Sequence, residues 1–518
     1  MQIKYDPQAE GGQYLENLAT AYWISDTLFT ALDSGLFDVL NQTPNLSTPA
    51  LSKKLQFSED ACRRFLALLQ TMGLVDCFEN TWLNSTLSNR YLVSGLPDYQ
   101  GGNLRWRRDL QPQWETLPEV LAAGTRTHFP QDDVSDEAMD RRRLEYLKAM
   151  DAVIRQKMPE ILPMLQNAIP RKAAILDVGA GSGGFALNLL AQHPNARATL
   201  MDIRQILPTT QKLLDSWPSC IVDRVDLCAQ NILDTPWKTR GGYDVILLSN
   251  IIHATSTKES AAVLKEARAH LNPGGLLVVH DFFTEHWSLK SHLSDINMLV
   301  NTYNGRAFSA AWVKTQLKDA GLVTTGPVAL QSDTALVFAS DTAKSLAPLT
   351  VSTVSQLALP IRDLGFFDVI PIDPREVVFA PFARNKCQFG CRSADDKTCI
   401  HNRDLPLEET RKQVRSYHRA FLLRGEPPTD TFQRKVLAAE ALAFKAGCYK
   451  AFAYWAGPCS ICPDCDLSAP CTNPTHHRPS MEGSGIDVFA TVRKAGETLH
   501  TLKAKGEVIK YYALLLLE

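Results

Sequence analysis

ILDVGAGSGG, residues 175–184, is the stretch that decides the fold. An apolar run containing Asp177 leads into glycines at 179, 181 and 183, and FALNLLAQH (185–193) follows with a helical pattern. That is a strand, a tight turn and a helix. Glycines let the backbone turn sharply and lie close to a ligand, because no Cβ intervenes. The helix behind them points its free N–H groups at that ligand. Working outward, ARATLMDI (196–203), YDVILLSNII (243–252) and GGLLVVHDFF (274–283) read as short apolar strands, with helical stretches such as KESAAVLKEARAHL (258–271) between them. Alternating strands and helices imply an α/β, Rossmann-like domain with a mostly parallel sheet covered on both faces. A helix around SAAWVKTQLKDAG (309–321) and a strand at ALVFAS (335–340) close it.

A glycine turn alone does not name its ligand, since dinucleotide enzymes share the geometry. Asp202 adds information, because it ends the next strand, where a carboxylate can accept both hydroxyls of a ribose. The acid Asp177 just before the glycines, and the spacing G-A-G-S-G-G in place of G-x-G-x-x-G, favour S-adenosylmethionine over NAD. Ser249, at the end of the strand DVILLS, is read as a further cofactor contact. His253 lies just beyond that strand, where ligands of parallel sheets sit. Methyl transfer is an in-line substitution on a sulfonium. A hydroxyl acceptor must lose its proton, and a histidine titrating near neutrality can take it. His280 and Asp281 end the following strand, and Asp281 is read as a substrate contact.

Upstream, YLENLATAYWISDTLFTALDSGLFDVL (14–40) and SEDACRRFLALLQTMGLVDCF (58–78) have apolar residues at helical spacing. LVDCFENTWLNSTLSNRYL (74–92) then alternates around a turn at Glu79-Asn80. This is a mainly helical, winged-helix pattern. Its candidate recognition helix carries Arg63 and Arg64 beside Glu59 and Asp60, a poor phosphate-binding surface. Packing or dimerisation is the better reading. Residues 1–105 are assigned to this domain and 106–340 to the cofactor-binding domain. The small, hydroxylated stretch 341–358 is read as a linker.

Residues 359–518 form a third, cysteine-rich α+β domain. The chain has 12 cysteines, and eight of them fall between Cys387 and Cys471. With no secretory signal, such a cluster favours metal ligation over disulfides. Cys459-x2-Cys462-x2-Cys465-x5-Cys471 can wrap thiolates around one compact centre. Bacterial ferredoxins use a similar run with a shorter last interval, whereas zinc ribbons separate two C-x2-C pairs by a long loop. An iron–sulfur cluster, [4Fe-4S], is favoured, with zinc as the alternative. Cys387, Cys391, Cys399 and Cys448 could supply a second site, so one or two clusters are expected. His476 and His477 are possible alternative ligands.

At this point two resemblances can be given. Through ALDSGLFDVL, LDVGAGSGG, LMDI, YDVILLSNIIH and NPGGLLVVHDFF, residues from about 10 to 340 resemble the class I O-methyltransferases of the plant caffeate and hydroxyindole type and their bacterial relatives. The resemblance implies a winged-helix dimerisation domain, a homodimer and a small-molecule acceptor. It implies Asp202 on the cofactor ribose, Asn231 and Ile232 near the adenine, and His253 as general base. It places the acceptor near Asp295 and Asn297. The sequence departs from the family's pattern at Asn231, where Asp is common, and at NIIHATS (250–256). FKAGCYKAFAYWAGPCSICPDC (444–465), RPSMEGSGIDVFATV (478–492) and KYYALLLLE (510–518) resemble a family of uncharacterised metal-binding cysteine proteins, which implies metal but no reaction.

The fusion suggests that the metal domain reduces, binds or positions the acceptor, with an electron donor as a partner in the first case. The competing reading is a redox-sensing transcription regulator or a scaffold, built from the winged helix and the cluster. A net charge of −2 argues against a polyanion partner, so neither nucleic acid nor a membrane surface is expected. The N-terminal residues lack the basic and apolar segments of a signal peptide. No apolar run is long enough to span a bilayer. A cytoplasmic location is the expectation.

Overall fold

The computed structural model describes residues 12–128, 135–239, 241–286, 288–330, 332–351, 353–390, 406–425, 429–462, 471–497, 499, 501 and 510–518. The chain forms two compact units that divide between Thr350 and Val351. No helix among the described residues is long and apolar enough to cross a membrane.

The first unit begins with helices, including Gly12–Ala19, Tyr22–Asp33 and Glu59–Thr71, around a small antiparallel sheet of β1 (Leu46–Ser47), β2 (Val75–Phe78) and β3 (Thr81–Asn84). β2 and β3 are the expected hairpin. Its tip residues Glu79 and Asn80 both have positive φ (46° and 61°), the backbone that a two-residue hairpin turn requires. Phe37, Leu51, Leu66, Leu69 and Trp82 pack into one core beneath it.

The long helix Asp136–Leu165, capped by the Ser135 hydroxyl, leads to the main sheet. Its strands are β4 (Ala174–Val178), β5 (Arg197–Asp202), β6 (Val225–Ala229), β7 (Tyr243–Ser249), β8 (Leu271–Asp281), β9 (Val323–Ala329) and β10 (Ala335–Ser340), in the order β6-β5-β4-β7-β8-β10-β9. The first five are parallel, β10 runs antiparallel to them beside β8, and the edge strand β9 is antiparallel to β10. Strands buried on both faces read as apolar runs, and Ile175, Leu176, Ile246, Leu247, Leu277 and Val278 are fully buried. The helix Thr257–His270 starts with a capping box, Ser256 with Glu259. β9 was not read from the sequence: VTTGPVA has no alternating pattern, and it is an edge strand. The stretch 341–358, read as a linker, carries the helix Ala343–Leu346 and the start of the helix Thr353–Arg362. The Thr342 hydroxyl caps the first of these at Ser345 N–H.

The second unit is a four-stranded antiparallel sheet of β11 (Asp368–Ile372), β12 (Ala420–Gly425), β13 (Phe452–Tyr454) and β14 (Tyr511–Leu516), ordered β11-β12-β14-β13. Phe432, Val436, Ala439 and Ala443 of the helix Asp430–Lys445 join a core with Phe421, Leu423, Ala513 and Leu515. A second core forms around Leu422, Tyr454, Leu514 and Leu516.

Candidate active site and cysteine site

The glycine loop has the backbone that its sequence demands. Gly179 and Gly183 lie at φ 64° and 74°, where an L side chain is strained, and a Cβ at Gly179 would meet Ile251 Cδ1 at 2.1 Å. Gly181 N–H donates to Asp202 Oδ2 (2.8 Å), and Ile203 N–H donates to Asp202 Oδ1 (2.7 Å). The two donors fix the carboxylate beside the loop. Burial raises the Asp202 pKa, while these two N–H groups pull it down. Thr210 ties the loop from the other side by donating to Gly181 carbonyl (2.6 Å). Asp177 is buried at the end of β4 and is pushed up to about 8 by that burial, against one N–H from Ala186 (3.4 Å).

Past β6, Asn231 is exposed, and its Oδ1 accepts Leu233 N–H (3.0 Å). Ile232 packs against the sheet core, and its carbonyl accepts Trp237 Nε1–H (2.9 Å). The side-chain oxygen of Asn231 therefore organises its own turn.

His253 sits in the short turn Ile252–Ala254 that follows β7. Its Nδ1 lies 2.5 Å from Asp281 Oδ1, and its backbone N–H donates to Asp281 Oδ2 (3.4 Å). Phe282 covers the imidazole, with ring centroids 4.6 Å apart, and Phe282 N–H also donates to Asp281 Oδ1 (2.8 Å). The Asp281 side chain is 1% exposed and that of His253 is 11% exposed, so the acid is enclosed and the imidazole keeps an open edge. A carboxylate only accepts, so Nδ1 carries a proton, and in the neutral ring the lone pair is then on Nε2. Asp281 was read as a substrate contact. Its oxygens accept from His253 and Phe282, so in this structure it is the partner of the histidine.

Asp295 and Asn297, expected near the acceptor, are bonded within the protein. Asp295 Oδ1 accepts Ala307 N–H (2.7 Å), and Asn297 Oδ1 accepts from Trp114 Nε1 and Asn301 Nδ2 (3.0 Å each). The Ser249 hydroxyl lies 2.8 Å from His280 Nδ1. A buried chain continues from there. His280 Nε2 is 2.9 Å from Thr334 Oγ1, and Lys157 Nζ donates to the same oxygen (2.9 Å) with Asp333 at 3.6 Å. Burial holds the His280 pKa well below its usual range. Lys157 and Thr334 were missed in the sequence. The available signal was a lysine among the core positions Ile154, Met158 and Ile161 of one helix.

In the second unit Cys459, Cys462 and Cys471 are half-buried. Cys465, Cys391 and Cys399 lie outside the described residues, as does the side chain of Cys387. Among the described residues no group of three or more His, Cys, Asp or Glu side chains is gathered as a metal would require. Cys448 is fully buried in the apolar core with Phe432 and Trp455, and burial pushes its thiol up. That environment opposes the thiolate a metal needs. His476 Nδ1 lies 3.2 Å from the Thr475 hydroxyl.

Three family profiles match the chain in succession. These are "O-methyltransferase dimerisation domain" over residues 16–94, "Methyltransferase domain" over 176–277, and "Predicted metal-binding protein (DUF2284)" over 370–517. The chain is 26% identical over 318 residues to the 3-hydroxy-5-methyl-1-naphthoate 3-O-methyltransferase of Streptomyces sahachiroi, covering 59% of this chain and 88% of that one. It is 27% identical over 313 residues to the tetracenomycin polyketide synthesis 8-O-methyl transferase TcmO of Streptomyces glaucescens, covering 59% and 89%. In fold it is similar to human N-acetylserotonin methyltransferase in complex with SAM. The TM-score is 0.55 at 20% identity, over 66% of this chain and 99% of that one. An O-methyltransferase family protein from Burkholderia thailandensis gives 0.54 at 22% identity, over 64% and 98%.

Proposed function

Starting from an S-adenosylmethionine-dependent class I O-methyltransferase with a dimerisation domain and a C-terminal predicted metal-binding domain, we propose that the chain methylates a hydroxyl on an aromatic small molecule of polyketide type, with His253 as the general base. The pairing of His253 Nδ1 with the enclosed Asp281 carboxylate carries this reading. The named activities of the two Streptomyces relatives support the acceptor class.

The backbone of Gly179, Gly181 and Gly183 would hold S-adenosylmethionine, Asp202 would accept its ribose hydroxyls, and Asn231 and Ile232 would flank its adenine. Asp177 and Ser249 complete that side of the site. The acceptor hydroxyl gives its proton to His253 Nε2 as its oxygen attacks the methyl carbon. The carbon–sulfur bond breaks with its electron pair going to sulfur, leaving neutral S-adenosylhomocysteine and a methyl ether. Asp281 holds the ring in the tautomer that leaves Nε2 free, and its charge stabilises the imidazolium that forms. A base of this kind contributes about 10²–10⁴-fold.

The working form is a homodimer. Leu15, Leu18, Tyr22 and Trp23 are exposed on the first two helices, within or next to the segment that matches the dimerisation profile. In the second unit Cys459, Cys462, Cys465 and Cys471 would hold a thiolate-bound metal, an iron–sulfur cluster in preference to zinc. When bound, such a cluster supplies electron transfer or an open site for the acceptor.

The test is transfer of labelled methyl from S-adenosylmethionine to a panel of hydroxynaphthoates and hydroxyanthraquinones, with the products identified by mass. Methyl ethers are expected. Methylation confined to amines or thiols would overturn the hydroxyl reading. Iron, acid-labile sulfide and zinc content of anaerobically purified protein tests the metal.

A further inference from the structure

The cysteine segment of the second unit is a loop with a closed neck and one supporting helix. Trp455 N–H donates to Pro479 carbonyl and Met481 N–H donates to Trp455 carbonyl (2.9 Å each), so the chain leaves and returns at one point. The helix Asp430–Lys445 holds this loop at two levels. Near the neck, Glu440 accepts Arg478 Nε–H (2.8 Å) and Ala453 N–H (2.7 Å), and Arg478 Nη2 bonds its other oxygen. Gln433 lies two turns earlier on the same helix face.

Gln433 is fully buried. Its Oε1 accepts Ser460 N–H (2.8 Å) and the Ser460 hydroxyl (3.2 Å), while its Nε2 faces His476 carbonyl (3.4 Å) and Cys459 Sγ (3.6 Å). The neighbours fix which end of the amide is which, because Ser460 N–H only donates and the His476 carbonyl only accepts. An N–H is therefore aimed at the Cys459 sulfur. Across the loop, Asn473 Nδ2 lies 3.1 Å from Cys462 Sγ. A thiol sulfur is a weak acceptor, whereas a hydrogen bond to a charged acceptor is about twice as strong as a neutral one. Two amide donors on the two ends of one C-x2-C pair suit sulfurs that carry negative charge.

We infer that Gln433 and Asn473 are positioning residues of a thiolate metal site, donating N–H to Cys459 and Cys462 so that the pair is held and its charge is stabilised when a soft metal is bound. This rests on the reading that these cysteines bind metal. Groups of this kind around a centre set its affinity and, for iron–sulfur clusters, its potential. Gln433 also fixes the loop backbone. Asn473 sits on a partly exposed segment and can be changed without opening the core.

The test uses the full chain, purified anaerobically and reconstituted separately with iron plus sulfide and with zinc, as wild type, Gln433→Glu and Asn473→Asp. Each acid keeps the size and removes the N–H. Three readings are taken: metal and sulfide per chain, the sulfur-to-metal absorption bands with, for iron, the reduction potential, and the rate of metal loss to a chelator. Loss about tenfold faster than wild type, with shifted bands and a lower potential in the iron form, is expected in both variants. Asn473→Asp decides the outcome if Gln433→Glu does not fold. A loaded wild type whose Asn473→Asp form matches it in release rate and spectrum would overturn the inference and leave the metal reading standing. A wild type that takes up neither iron nor zinc would overturn both.

Discussion

The two units make their sites in opposite ways. In the first, polar groups come at the carboxyl ends of parallel strands: Asp177 on β4, Asp202 on β5, Ser249 on β7 and Asp281 on β8. Neighbouring parallel strands finish on one side of the sheet, so these groups are delivered to the same end of the domain, beside the glycine loop and the His253 turn. In the second unit every strand pair is antiparallel, and the strands contribute apolar side chains to two cores. Cys459, Cys462 and Cys471 lie outside its strands. Topology alone brings nothing together there, and the helix Asp430–Lys445 supplies the order through Gln433 and Glu440.

The contrast can be attacked where the effect is largest. His253→Ala removes the proposed base, and kcat is expected to fall about 10²–10⁴-fold. The strand-end groups remain, so S-adenosylmethionine affinity by calorimetry should be unchanged. An equal fall in affinity would mean that the first unit's site also depends on its loop. Asp281→Asn keeps the shape but not the charge, and its amide can donate to Nδ1 and so place the proton on Nε2; kcat is expected to fall by about 10²-fold or more, with the methyl acceptor still bound. Arg478→Met leaves the half-buried Glu440 with only the Ala453 N–H as partner and is expected to cost the second unit about 2 kcal/mol, read as a lower denaturation midpoint. The melting of the first unit should not move. If the loop stays ordered and stable, the helix is not its support.

The smallest effect concerns Asp177. The folded protein keeps its proton up to about 8, whereas the unfolded chain releases it near 3.9. Between those values the folded state binds more protons, so this group makes stability fall as pH rises. Asp177→Asn should flatten that fall by about 1 kcal/mol between pH 6 and pH 7, measured by denaturant unfolding at both values.

The difference between the units also governs what the sequence could tell. ILDVGAGSGG and LMDI are local patterns, and the loop, the helix and Asp202 lie where those patterns require. His253 was legible because a strand end is a local feature. The role of Asp281 was not. It follows from the register of β7 on β8, which sets Ser249 opposite His280 and brings the next residue to the His253 turn. Nothing within either strand encodes that pairing. Gln433 and Asn473 were invisible for the same reason. Glutamine in an amphipathic helix looks like a surface residue until the chain returns and lays Cys459 and His476 on it. Cys448 shows the same limit from the other side, since its place in the sequence does not reveal that it packs in the apolar core.

One feature of the second sheet bears on how the protein is made. β14 lies between β12 and β13, although it is the last of the four in the chain. A ribosome releases all the cysteines before the strand that joins the two halves of that sheet. The thiols therefore emerge onto an unfinished platform, and any metal they capture during synthesis arrives before the sheet can close. A chain stopped between residues 472 and 510 would keep every sulfur and have no central strand. It would present two open strand edges, a template for aggregation. Reconstitution experiments on shortened versions would then measure the chemistry of a misfolded thiol cluster.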